Sequence, residues 1–194
     1  MHAFIKATSI IASTGVLLAV ALTPAYADST DTVDATVTSG SLTAQASAPD
    51  AMTSVVLDGI STKISTGQAA EWNVVNARGT DAAWSLSANV TDFESAAGTV
   101  DTTARVLAAS NLVITPGTVT AGAGSDAAPT TVPITMSNTA AALVSSYTLG
   151  KGRYTLNPVF DLTVPANSFR SNYAGAYGDS VVNPYVATIT FTIA

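Results

Sequence analysis

The sequence predicts an all-β fold: two antiparallel sheets packed face to face as a β-sandwich of seven or eight strands. Three observations lead there. Apolar and polar residues alternate over several short runs, Gly, Pro, Asn and Asp separate those runs, and no stretch holds a helical period. The chain of 194 residues, with 10% charged and 7% aromatic residues and abundant Ala, Thr, Ser and Val, suits one lightly charged domain with a single core.

Residues 1–27 read as a secretory signal. Lys6 supplies the basic start, Ala7 to Leu22 form an uncharged apolar run, and Ala25-Tyr26-Ala27 has small residues at the spacing of a cleavage site, so cleavage is expected between Ala27 and Asp28. The run is short of the roughly 20 residues that span a bilayer, and no later run approaches that length, so no membrane span is expected after cleavage. Loss of Lys6 takes the formal net charge from −6 to −7, a surface that repels nucleic acid phosphates and anionic lipid; nucleic acid is not an expected partner.

Residues 28–50 open with Asp28, Asp31 and Asp34 and form a polar, small-residue leader, of which Ala35 to Ser47 could add an edge strand. Residues 51–194 then form the single domain. Strands are expected at Ser54 to Leu57 and Trp72 to Ala77, with a hairpin turn at Arg78-Gly79-Thr80-Asp81. The clearest strand is Trp84 to Val90, with Trp84, Leu86, Ala88 and Val90 on one face and Ser85, Ser87 and Asn89 on the other. Val106 to Ile114 and Val132 to Met136 are weaker strands, separated by a Gly- and Ala-rich connector from Gly117 to Pro129. Tyr154, Leu156, Pro158, Phe160, Leu162 and Val164 alternate as another strand. Tyr185, Ala187, Ile189, Phe191 and Ile193 do so as the last. The sandwich is therefore immunoglobulin-like or jelly-roll-like.

The only histidine, His2, lies in the signal and there is no cysteine, so the secreted chain lacks thiol and imidazole nucleophiles, bases and metal ligands. No Ser-x-x-Lys, calcium-loop or phosphate-loop pattern occurs, and no cofactor or metal is expected. Asp92 with Glu94 or Asp161 could supply the carboxylate pair of a glycan hydrolase, although Asp161 faces solvent by alternation.

The ordered set of segments resembles the WxL domain, a family of Gram-positive cell-surface proteins with an internal Trp-x-Leu and a second such tripeptide near the C-terminus. Here the first is Trp84-Ser85-Leu86, after Val75-Asn76-Ala77-Arg78-Gly79-Thr80. Gly150-Lys151-Gly152-Arg153-Tyr154 and Asp161-Leu162-Thr163-Val164-Pro165-Ala166 are similar to the family's Gly-x-Gly-x-Tyr and Leu-x-Val-Pro segments. The second motif is degenerate, Phe191-Thr192-Ile193 standing where Trp-x-Leu is the family pattern. The resemblance implies a secreted, non-enzymatic protein held noncovalently on the cell wall through peptidoglycan or an associated glycan, working beside other surface proteins.

Strand alternation puts Trp84 and Leu86 on the core face, and Phe191 and Ile193 on the face of Ile189, so the tripeptides are expected to be core anchors. Wall contact must then lie elsewhere. The candidate is the loop from Arg170 to Asn183, where Tyr173 and Tyr177 could stack on sugars, flanked by Arg170, Asn172 and Asp179 for hydroxyls. The alternative for that loop is a surface insertion whose tyrosines fold back on the sandwich. The rival functions are a subunit of a surface fibre or layer, or partner of a larger adhesin, pairing through exposed strands, and the carboxylate hydrolase.

Overall fold

The structure is a computed structural model that describes residues 32–146 and 150–194. The expected signal segment and its Ala27–Asp28 junction lie outside the described residues. Residues 32–37 form no strand or helix and are exposed. From Thr38 the chain is a separate compact unit.

That unit is all-β and antiparallel, and its helical content among the described residues is one short 3₁₀ turn, Ala109–Asn111. The number of strands differs from the expected seven or eight. Among the described residues there are 16, in five sheets. Sheet A has the order β1 (Leu42–Gln45), β3 (Trp72–Asn76), β11 (Gly152–Leu156), β8 (Thr120–Ala121). Sheet B runs β2 (Lys63–Gln68), β12 (Val159–Val164), β7 (Leu112–Thr115), β9 (Ile134–Thr135). Sheet C runs β10 (Ala141–Ser146), β4 (Trp84–Val90), β16 (Ile189–Ile193). Sheet D runs β15 (Tyr185–Val186), β5 (Phe93–Ser95), β6 (Arg105–Leu107), and β13 (Asn172–Tyr173) pairs with β14 (Val182–Asn183) as a ribbon.

The excess of strands has local causes. The long alternating run from Tyr154 to Val164 keeps one burial phase, but the chain passes from sheet A to sheet B at Asn157-Pro158, where proline offers no N–H to a ladder. The run from Val106 to Ile114 is split by the 3₁₀ turn into β6 and β7. The C-terminal run changes partner likewise, β15 pairing with β5 and β16 with β4. Ser54 to Leu57 forms no strand. β1, at the edge of sheet A, falls inside the leader.

Sheet C carries both tripeptides. β4 and β16 pair so that Leu86 lies opposite Ile193 and Ala88 opposite Phe191, and Ser85 and Ala194 exchange both backbone hydrogen bonds. Trp84, Leu86, Ala88 and Val90 are buried, while Phe191 and Ile193 are half-buried and pack against the core. Trp72 of sheet A joins the sheets: its ring meets Phe191 of sheet C at 5.1 Å and Phe160 of sheet B at 6.1 Å, both edge-on. Such edge-to-face contacts add to the burial of large rings. Its indole nitrogen is satisfied by the carbonyl of Ser47 at 2.8 Å.

Candidate functional site

The expected contact loop begins at Arg170 and becomes the ribbon β13–β14. A network of amides fastens the ribbon to the 95–103 segment. Asn172, only 2% exposed, donates its side-chain amide to the carbonyls of Ser95, Ala96 and Thr103, and its backbone N–H to Ser95 Oγ. Ser95 Oγ in turn donates to the carbonyl of Asn183 at 2.6 Å, and Asn183 Nδ2 donates to those of Ala96 and Ala97. Thr99 ties the tip through Gly175, its hydroxyl donating to that carbonyl at 2.9 Å. The backbone of Gly98 lies so close to Tyr173 that a Cβ there would collide with the Tyr173 carbonyl.

Asp101 organises the cationic side. It accepts from both Arg170 terminal nitrogens, at 2.9 and 3.2 Å, and from the backbone N–H of Tyr173 at 2.7 Å. The Arg170 hydrogen bond, followed by that of Tyr173, holds the Asp101 carboxyl below its usual range, and the Asp101 contact raises Arg170. The fixed guanidinium lies over the Tyr173 ring at 3.9 Å, and Tyr173 meets Tyr177 edge-on at 6.1 Å. Tyr177 itself is 72% exposed. A second pair repeats the pattern nearby, with Arg105 at 3.9 Å over Phe169, a ring that is 60% exposed.

The five expected loop residues therefore divide. Arg170, Tyr173 and Tyr177 form one contiguous series, the guanidinium over the Tyr173 face and Tyr177 edge-on to it, Asn172 is an internal anchor, and Asp179 serves its own turn by accepting the Val181 N–H. Sequence reasoning missed Phe169, Arg105 and Asp101. Phe169 directly precedes Arg170 and was within reach of a wider loop boundary, whereas Arg105 and Asp101 are brought in from the β5–β6 side and carry no local signal.

The four tripeptide residues lie elsewhere, in sheet C. Trp84 donates its indole N–H to the carbonyl of Gly150 at 3.0 Å and its ring is 5.7 Å from that of Tyr154, so its polar atom and its face are both used internally. The carboxylates considered for hydrolysis are dispersed in role. Asp92 accepts the Ala109 N–H at 2.8 Å, Asp161 accepts the Thr66 hydroxyl at 2.8 Å, and Glu94 is exposed on sheet D between Val106 and Val186. Among the described residues no group of three His, Cys, Asp or Glu side chains is placed to hold a metal ion, and no helix is long and apolar enough to cross a membrane. Comparison of the chain with family models, with curated proteins and with solved structures finds no match.

Proposed function

We propose that the protein is a secreted, non-enzymatic cell-surface β-sandwich of the WxL type that associates noncovalently with wall peptidoglycan or an associated glycan. The observation that carries this reading is the braced aromatic strip of Tyr177, Tyr173 and Arg170, with Phe169 and Arg105 beside it. Aromatic faces receive the apolar faces of sugars, and guanidinium and amide groups bind their hydroxyls. Binding to such a strip costs little ordering, because Asp101, Asn172 and Asn183 already hold its base in place. The pairing of Trp84-Ser85-Leu86 with Phe191-Thr192-Ile193 on adjacent strands supports the family resemblance, and Trp72 against Phe160 and Phe191 supports the layered sandwich.

The test is sedimentation of the full chain with purified sacculi at moderate salt, beside the double variant Tyr173→Ala/Tyr177→Ala. Co-sedimentation lost in the variant supports the reading. Absence of the native protein from cell walls, or undiminished binding by the variant, overturns it; release of reducing sugar would move the protein to the hydrolases.

A further inference from the structure

A groove of about 1100 Å³ opens between sheets B and D, walled by Phe160, Leu162, Leu107 and Ile189 and flanked by Val55 and Leu57 of the segment that precedes β2. Its volume exceeds the roughly 300–1,000 Å³ of small-molecule pockets. The flanking segment behaves as a strand that lacks a neighbour. Val55 and Leu57 turn inward while Ser54 and Val56 are exposed, yet among the described residues no backbone hydrogen bond reaches Ser54, Val55, Val56 or Leu57. It is tethered at one end by Thr53, whose N–H donates to the Thr66 carbonyl of β2, and at the other by the ion pair of Asp58 with Lys63 at 2.6 Å. Side chains that alternate in and out as in a strand, with unpaired backbone amides beside an apolar groove, are what an added strand can pair with.

The same chain carries a segment suited to fill it. Val33, Ala35 and Val37 alternate with Asp34 and Thr36, and both valines are almost fully in water, at 96% and 95% exposure. In an extended conformation these three side chains share one face, and Asp34 and Thr36 share the other. We propose that Val33–Val37 of a second copy docks in this groove as an added strand, its valines entering beside Leu57 and Phe160 and its backbone pairing with Ser54–Leu57. The contact is heterologous, a segment of one copy in the groove of the next, so it propagates into open chains of subunits unless the geometry closes a ring. The groove's rim also carries Phe169, Arg170 and Tyr173 of the aromatic strip, so an added strand and a wall glycan would share these residues; the strand proposal goes beyond wall binding and its test reads association between copies alone.

The absence of cysteine allows a direct test. Each of Val33→Cys, Leu57→Cys and Thr190→Cys, the last at an exposed position of β16 outside the groove, is expressed from the whole sequence. Mixed under mild oxidation, the first two should cross-link at least tenfold faster than Val33→Cys with Thr190→Cys, and wild type should sediment as concentration-dependent oligomers that Val33→Asp/Val37→Asp abolishes. Equal cross-linking rates overturn the proposal. So does a wild type that stays monomeric at high concentration, or a doubly substituted Val33→Cys/Leu57→Cys chain that closes on itself at high dilution.

Discussion

The indole nitrogen of Trp84 and the amide nitrogen of Asn76 both donate to a single acceptor, the carbonyl of Gly150, at 3.0 and 2.9 Å. Trp84 belongs to sheet C and Asn76 to sheet A, so one carbonyl joins two sheets at a buried point. This gives the Trp-x-Leu tripeptide a structural task. Replacing Trp84 by Phe keeps most of the apolar volume but removes one donor, which should cost about 1–2 kcal/mol; Trp84→Ala also empties the space beside Tyr154 and should cost about 3–5 kcal/mol. Urea unfolding measures both. The fraction that remains folded should bind sacculi as wild type does, because Trp84 is 2% exposed and has no face to offer a polymer.

The acceptor is equally constrained. Gly150 has φ of 126°, and a Cβ there would lie 2.6 Å from the Trp84 indole nitrogen and against Ser146. Gly79 also has positive φ, 66°, but faces open space. Alanine at either site costs backbone strain of about 1–3 kcal/mol, and only at Gly150 is overpacking of about 1–3 kcal/mol added. Thermal unfolding should therefore rank Gly150→Ala well below Gly79→Ala, and equal midpoints would dissociate the glycine from the tryptophan.

What the sequence discloses and what it hides follow from which face of a strand is apolar. β4 was legible because its buried residues, Trp84, Leu86, Ala88 and Val90, are also its apolar ones. β2 was not: its buried positions are Ser65 and Gly67, opposite Leu162 and Phe160, while Ile64 is exposed. A Cβ at Gly67 would run into Pro49 and Met52, and Ser65 donates its hydroxyl to the Thr53 carbonyl, so the 49–53 segment laid over this face leaves room only for small residues and the hydrophobic period points the wrong way. β10 was hidden by a register shift between Ala142 and Val144, which buries the consecutive residues Leu143 and Val144 and destroys alternation. In the loop, residue type singled out Tyr173 and Tyr177, whose rings meet edge-on, but it could not tell an exposed Asn from Asn172, whose three carbonyl partners come from residues 69 to 77 positions away.

Acid should weaken the same junction. Asp126 Oδ2 accepts the backbone N–H groups of Gly150 and Lys151, at 2.9 and 2.8 Å, and these bonds hold its carboxyl below the ordinary Asp range. A carboxyl depressed in the folded state binds fewer protons than in the unfolded chain. Its contribution is thus complete above the unfolded value of about 3.9 and is lost as pH falls through the lower folded value. Asp58 and Asp101 are depressed as well and act in the same direction. The thermal midpoint of wild type should be flat near neutrality and fall below about pH 4, and Asp126→Asn should start lower and fall less steeply. An identical slope in the variant would remove Asp126 from the account.

The ribbon separates support from contact, and two single substitutions should separate them in solution. Asn172→Ala leaves the carbonyls of Ser95, Ala96 and Thr103 without their shared donor in a buried site, at a cost of about 1–3 kcal/mol. Tyr177→Ala removes an exposed ring whose described ring contact is with Tyr173, so stability should stay within about 0.5 kcal/mol of wild type. Binding should show the reverse order per unit of stability lost. A stacked ring is worth about 0.5–1.5 kcal/mol beyond its area, so Tyr177→Ala should weaken affinity for sacculi about threefold to tenfold at unchanged Tm. Asn172→Ala should weaken it only as far as the ribbon loosens, and cooling should restore part of that loss, since the tyrosines themselves remain. A Tyr177→Ala protein with wild-type affinity would place the wall contact off the ribbon and leave Tyr173 and Tyr177 as packing for Arg170.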